Sequence, residues 1–282
     1  VTHQPIVSVV VPTCDRPDLL DRSVASILTQ TLDDFEVIIV DDGTRRPVPD
    51  GMFDDPRVRI ILSGGAHGPG PARNRGIDAA RGEYVAFLDD DDLWLPQKLE
   101  ASVDALRGNP DAGVVFHATG RPGGAIDQGS GQHLHAHPAQ MFATRQTPHV
   151  DSVVVRRSLF DEVRFSEDLP AAAEVDLFLR LAKISPFVEL DATYALFDPS
   201  PEAPSRVSVQ ARIVARRRLM ADHPDVFASR EARAFGMMRL GHLYRRSGER
   251  GAAIRCFLNG IWLDPFLIAA WRGLFSSSLP PQ

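Results

Sequence analysis

Three short apolar runs in the first ninety residues each end in a polar or acidic cluster, and this constrains the fold more than any other feature. Ile6 to Val11 runs through Pro12 into Thr13-Cys14-Asp15; Phe35 to Val40 runs into Asp41-Asp42-Gly43; Glu83 to Leu88 runs into Asp89-Asp90-Asp91-Asp92. Apolar runs of this length, rich in β-branched residues in the first two, predict buried strands. Between them lie helix signals. Pro17 opens a helix through about Gln30 with Leu19, Leu20, Val24, Ile27 and Leu28 on one stripe, and a second helix is expected from about Ala72 to Ala80. A third helix is expected from Pro96 to Leu106, with Asp92 as a candidate cap near its start. Alternating strands and helices predict an α/β fold, a mostly parallel sheet with helices on both faces. Such sheets bind ligands beyond the carboxyl ends of their strands, where all three polar clusters fall.

Farther along, Thr119 to Thr147 is rich in Gly, His and Gln without a clear period, and is expected to be a long mobile loop. A helix is expected over about 171–183, with short strands at Phe187 to Leu190 and Thr193 to Phe197. After Pro204 the composition shifts to helix formers. The expected domains are therefore 1–203, α/β and catalytic, and 204–282, a helical extension.

Four adjacent aspartates repel one another by ~0.5–1 kcal/mol per close pair unless a cation or a helix terminus offsets them. Oxygen ligands suit Mg²⁺ or Mn²⁺, which bind through one or two carboxylates plus substrate phosphates. The plainer reading is an acidic loop before a helix.

The net charge of -6 disfavours nucleic acid as a partner. Positive charge concentrates between Arg206 and Arg255, with twelve arginines against four acids. That stretch is either a set of solvated helix faces or a docking surface for an anionic partner or a membrane face. Cys14 and Cys256 fit free thiols in a reducing cytoplasm. The longest apolar candidate, Cys256 to Phe275, is broken by Asp264, Pro265 and Arg272, so no transmembrane segment is expected, and contact with a membrane would be peripheral. The amino terminus lacks the layout of a secretory signal.

Several motifs now add up in order: Val9-Val10-Val11-Pro12-Thr13, Gln30-Thr31, Phe35 through Gly43, Ala72-Arg73-Asn74-Arg75-Gly76, and Gly82 through Asp92-Leu93-Trp94. Over roughly residues 6 to 107 the chain resembles the inverting family 2 glycosyltransferases of the GT-A fold. The resemblance implies a metal-dependent, nucleotide-sugar-using enzyme, with UDP as the default nucleotide and dTDP or GDP open. It implies that Thr13 and Asp41 contact the nucleotide, with Asp15 in the same cluster, and that Arg73 helps hold it. Asp89 and Asp91 match the family's Asp-x-Asp motif, with Asp90 between them counted with the donor-binding residues: the first faces the ribose and Asp91 ligates the metal. The general base falls on Glu174, with Asp176 as the fallback; the acid that usually precedes the base is Ala173 here. A late histidine common in relatives is not found, and Asp198 is its nearest substitute. His133, His135, His137 and His149 are read as belonging to a solvated loop or a lid.

Two other classes remain open at this level. A nucleotidyltransferase would use similar acids, although Val11-Pro12-Thr13-Cys14-Asp15 lacks the Gly- and Lys/Arg-rich phosphate loop it needs. A non-catalytic nucleotide-binding protein of the same fold is the other. Leu240-Gly241, Tyr244, Gly248, Ala253, Phe257, Gly260 and Asp264-Pro265 resemble one tetratricopeptide-type hairpin, which must pack on the catalytic domain or pair in a homodimer. The acceptor is not legible.

Overall fold

The computed structural model describes residues 3–43, 45–65, 67–139, 141, 147–197 and 207–278. The chain runs β1 (Val7–Thr13), α1 (Pro17–Leu28), β2 (Phe35–Asp41), β3 (Val58–Leu62), α2 (Pro69–Ala79), β4 (Tyr84–Phe87), β5 (Leu93–Trp94), α3 (Lys98–Gly108) and β6 (Val114–Gly120). It continues with β7 (Gln128–His135), β8 (Val154–Arg156), α4 (Ala173–Ile184), β9 (Phe187–Leu196), α5 (Val209–Asp222), α6 (Arg230–Arg246), α7 (Arg250–Leu263) and α8 (Ile268–Ser278).

Among the described residues the strands form one nine-stranded sheet, ordered β3-β2-β1-β4-β8-β6-β9-β5, with β7 also on β9. Pairings β1–β2, β1–β4, β2–β3 and β6–β9 are parallel and carry most of the ladder length. The insertion of β8 is antiparallel to both β4 and β6. Alternate residues of the central strands face opposite layers. Val7, Val9 and Val11 join Leu20, Val24 and Ile27 of α1 and Leu99, Val103 and Leu106 of α3 in one buried cluster. Val10 points the other way, against α2, where a Cβ on Gly76 would come within 2.2 Å of a Val10 methyl. Helices thus cover both faces, as the strand and helix alternation predicts.

Two compact units are present: Val1–Ala136, Pro148–Glu167 and Ile184–Pro204 form one, and His137–Thr147, Asp168–Lys183 and Ser205–Gln282 the other. In the second, α6 and α7 form the expected helical hairpin, and Phe257 is completely buried in it.

Three local expectations fail for physical reasons. The segment expected as a mobile loop contains β7, which pairs antiparallel with β9. Its side chains are almost all polar, so apolar periodicity cannot reveal it. Instead His133 and His135, two apart on one face, meet Asp191 at 3.1 Å and Glu189 at 2.8 Å across the ladder. Residues 140 and 142–146 of that segment lie outside the described residues. The two short strands expected after residue 186 are one strand, β9, paired to β6 with register shifts at Ala118. Asp92 does not cap α3, which starts at Lys98 after Gln97, because β5 intervenes. Among the described residues no helix is long and apolar enough to cross a membrane.

Candidate active site

Parallel pairing brings the strand ends to one edge of the sheet: Thr13 of β1 lies in register with Asp41 of β2. The Leu88 amide donates to the Val10 carbonyl at 3.1 Å, so the acidic run emerges beside Thr13. Thr13 Oγ1 donates to Asp90 at 2.7 Å. The three polar clusters of the sequence therefore meet.

The aspartates at this edge divide by what they hold. Asp41 is buried and accepts the amides of Gly43 at 2.9 Å and Val48 at 2.8 Å. Asp42 accepts from Ser63 Oγ at 2.5 Å and from the Gly68 amide at 2.7 Å, fixing the glycine-rich loop that leads into α2. Asp15 adopts a φ of 57° and accepts the amides of Arg45 at 2.9 Å and Arg46 at 3.0 Å. A positive φ on a residue with a side chain costs energy, and such residues concentrate at functional loops.

Within the run, exposure alternates. The side chains of Asp89 and Asp91 remain 29% and 21% exposed, whereas Asp90 and Asp92 are each 1% exposed. Arg16 pairs with Asp90 and, at 3.1 Å, with Asp91. Arg73 pairs with Asp89 and lies over the Phe165 ring at 5.5 Å. The protein's own arginines thus offset part of the repulsion that the sequence leaves open. Burial pushes the Asp90 carboxyl up to about 6, against the opposing pull of Arg16 and Thr13. Burial also raises Asp91, with Arg16 again opposing.

Behind Asp89 lies a set that the sequence reading did not assemble. One ligand atom from each of Asp89, Asp92, His149 and Asp151 falls within 4.8 Å of the others. Asp151 accepts the Asp89 amide at 2.9 Å and meets His149 at 2.9 Å, while its carbonyl accepts from Trp94 Nε1 at 2.9 Å. Burial works to raise the Asp151 carboxyl, but hydrogen bonds with Asp92, His149 and the Asp89 amide outweigh it and hold it below the usual range. Of Arg16, His149 and Asp151 the sequence singles out only His149, as one of a histidine-rich segment. Spacing along the chain carries no signal for these contacts, because sheet order creates them.

Glu174 and Asp176 sit in the first turn of α4, in the other compact unit. Glu174 is half-buried and within the electrostatic reach of Arg216. Asp176 is buried with both oxygens engaged, by Arg180 Nη2 at 2.6 Å and His223 Nε2 at 2.9 Å. Ala172, just before this helix, has a φ of 58°. Asp198 lies outside the described residues.

An α/β sheet that gathers carboxylates and arginines at the carboxyl edge of its strands defines a ligand-binding enzyme scaffold of the doubly wound kind. The profile of glycosyl transferase family 2 matches residues 8–162. The chain belongs to that family. It is 32% identical over 195 residues to the succinoglycan biosynthesis protein ExoW of Rhizobium meliloti, covering 61% of each chain. It is 28% identical over 194 residues to the chondroitin synthase of Escherichia coli, covering 66% of this chain and 28% of that one. The chain thus spans less than two thirds of the length of these relatives.

The fold is that of the GT-A glycosyltransferases. S. aureus TarS 1-349, crystallised with UDP-GlcNAc, superposes with a TM-score of 0.62 at 17% identity, covering 96% of this chain and 88% of that one. The mannosyltransferase PcManGT of Pyrobaculum calidifontis, in complex with GDP-Man and Mn²⁺, gives 0.61 at 19% identity, covering 100% of this chain and 77% of that one. Family membership sets aside the nucleotidyltransferase reading.

Proposed function

We propose that this chain transfers a sugar with inversion from a nucleoside-diphosphate donor, UDP first among the candidates, in a reaction assisted by Mg²⁺ or Mn²⁺. The observation that carries the proposal is the alternation in the acidic run. Asp89 and Asp91 stay accessible at the strand-end edge where parallel α/β sheets bind ligands, and the intervening Asp90 is consumed by Thr13 and Arg16.

The residues present fit a hard divalent cation: Asp89 comes together with the carboxylates of Asp92 and Asp151 and the His149 imidazole, a set that does not include Asp91. The family resemblance assigns Asp91 to the metal from the accessible side of the run, with Asp89 beside it and the diphosphate completing the shell. Bound there, the cation would supply Lewis-acid stabilisation of the charge that builds on the departing diphosphate. Thr13 and Asp41, buried and bonded to Asp90 and to the Gly43 and Val48 amides, would hold the strand ends that form the nucleoside seat, with Asp15 and Asp42 fixing the loops around it. Arg73 and Arg16 hold the run in place and lend positive charge to the phosphates. Glu174 is assigned to take the proton from the acceptor nucleophile as it attacks the anomeric carbon. Asp176 is assigned to anchor that helix turn.

The test is donor turnover. UDP-, dTDP- and GDP-sugars are each incubated with Mn²⁺ or with chelator, and release of nucleoside diphosphate is followed. Metal-dependent release from a UDP-sugar supports the reading. Release that is unchanged by chelator removes the metal, and release from GDP- or dTDP-sugars alone reassigns the nucleotide.

A further inference from the structure

Large apolar side chains are left exposed on one part of the helical unit. On α7, Arg255, Leu258 and Trp262 recur at helical spacing, and on α8 Ile268, Trp271 and Phe275 do the same. Phe266, in the turn between the helices, is 90% exposed, Trp262 72% and Phe275 66%. Trp271 and Phe275 stack with ring centroids 6.3 Å apart, and Trp271 Nε1 donates to the Pro265 carbonyl at 2.9 Å. Contiguous exposed aromatics of this size mark an interaction surface rather than an ordinary solvated helix.

The charge around the patch selects the partner. Residues 230–278 hold eight arginines and three acids, Glu231, Glu249 and Asp264. Arg230 lies over the Trp262 ring at 5.6 Å, and Arg245 reaches Ser276 at the end of α8 at 2.9 Å. Arg255 and Arg272 are exposed on the same helices as the aromatics. Of the acids, Asp264 accepts the Phe266 amide at 3.0 Å and Glu249 accepts from Ser247 at 2.9 Å, so both are turned to local structure. Trp and Phe that sink into an interface, rimmed by arginines that stay at the surface, match the chemistry of an anionic bilayer face. A second copy fits less well, because a two-fold interface would set this arginine rim against itself.

We propose that the α7–α8 face docks on an anionic lipid surface, with Trp262, Phe266 and Phe275 inserting among the lipids and Arg255 and Arg272 contacting the headgroups. The proposal is independent of the donor chemistry above.

The experiment is co-sedimentation of the full chain with vesicles of phosphatidylcholine alone or mixed equally with phosphatidylglycerol. Binding to the mixed vesicles should exceed binding to phosphatidylcholine by at least about tenfold and fall with salt. Trp262→Ser with Phe266→Ser should weaken it by about tenfold, and so should Arg255→Glu with Arg272→Glu, each with an unchanged thermal melt. The arginine pair keeps the test decisive if the aromatic variant fails to fold. Absence of binding to mixed vesicles, equal binding to both kinds, or binding unmoved by the folded variants would overturn the proposal. So would a solution dimer that Trp262→Ser with Phe266→Ser dissociates, which would make the face an interface between copies.

Discussion

Asp176 and His223, forty-seven positions apart, meet through a hydrogen bond of 2.9 Å in which both side chains are buried. His223 closes the end of α5, and Asp176 stands in the first turn of α4, so the pair ties two helices of one unit together. Removing the imidazole leaves a buried carboxylate short of a partner. His223→Ala should therefore cost about 2–3 kcal/mol, read by urea unfolding. A loss under about 0.5 kcal/mol would show that water replaces the imidazole readily.

Two positions earlier, Glu174 is half-buried and makes a different prediction. Glu174→Gln should leave stability and donor binding within error while turnover falls by about a hundredfold or more, as expected when a general base is lost. Steady-state kinetics beside UDP titration checks it. Normal turnover in the variant would place the base elsewhere.

The contrast between these two acids also shows what the sequence could reveal. The period of the apolar runs exposes the strands, and their polar ends mark the ligand edge. Resemblance puts the base on Glu174 with Asp176 as the fallback, but it cannot reveal that Asp176 is already engaged, because His223 reaches it only through the packing of α5. Arg16, His149 and Asp151 stay hidden for the same reason: sheet order, not chain spacing, delivers them to the acidic run. Strand β7 is missed because its stabilising pairs, such as His135 with Glu189, are polar.

At the opposite end of β2, Glu36 offers a pH test away from the site. It is buried and accepts from Ser8 Oγ at 2.7 Å, the Arg81 amide at 2.8 Å and Arg59 Nε at 3.3 Å. Burial alone would raise its carboxyl, but these donors outweigh it and leave it below the ordinary glutamate range. A lowered folded value means the stabilisation is complete above the unfolded value, near 4.3, and is lost as pH falls through the folded one. Glu36→Gln should therefore lower Tm at neutral pH and flatten its decline between about pH 5 and pH 3. An acid limb identical to that of the wild type would contradict this.

Glycine in the helical hairpin gives a stability test with opposite signs. A Cβ at Gly241 would come within 2.8 Å of the buried Phe257 ring, whereas at Gly251 the nearest atom is the end of Arg255 at 3.6 Å. Overpacking costs about 1–3 kcal/mol, which exceeds or matches the ~1 kcal/mol gained by alanine in a helix. Gly241→Ala should destabilise and Gly251→Ala should stabilise by about 0.5–1 kcal/mol, compared by thermal melts. Equal shifts of the same sign would mean Phe257 yields freely.

The central claim is that the accessible carboxylates of the acidic run seat a metal-bound nucleoside diphosphate. Calorimetric titration of UDP into wild type and Asp91→Asn, each with Mn²⁺ and with chelator, tests it most directly. The account predicts that Mn²⁺ tightens UDP binding at least about tenfold in the wild type and far less in the variant. UDP affinity that is the same with and without Mn²⁺, or a metal effect that Asp91→Asn leaves intact, would contradict it.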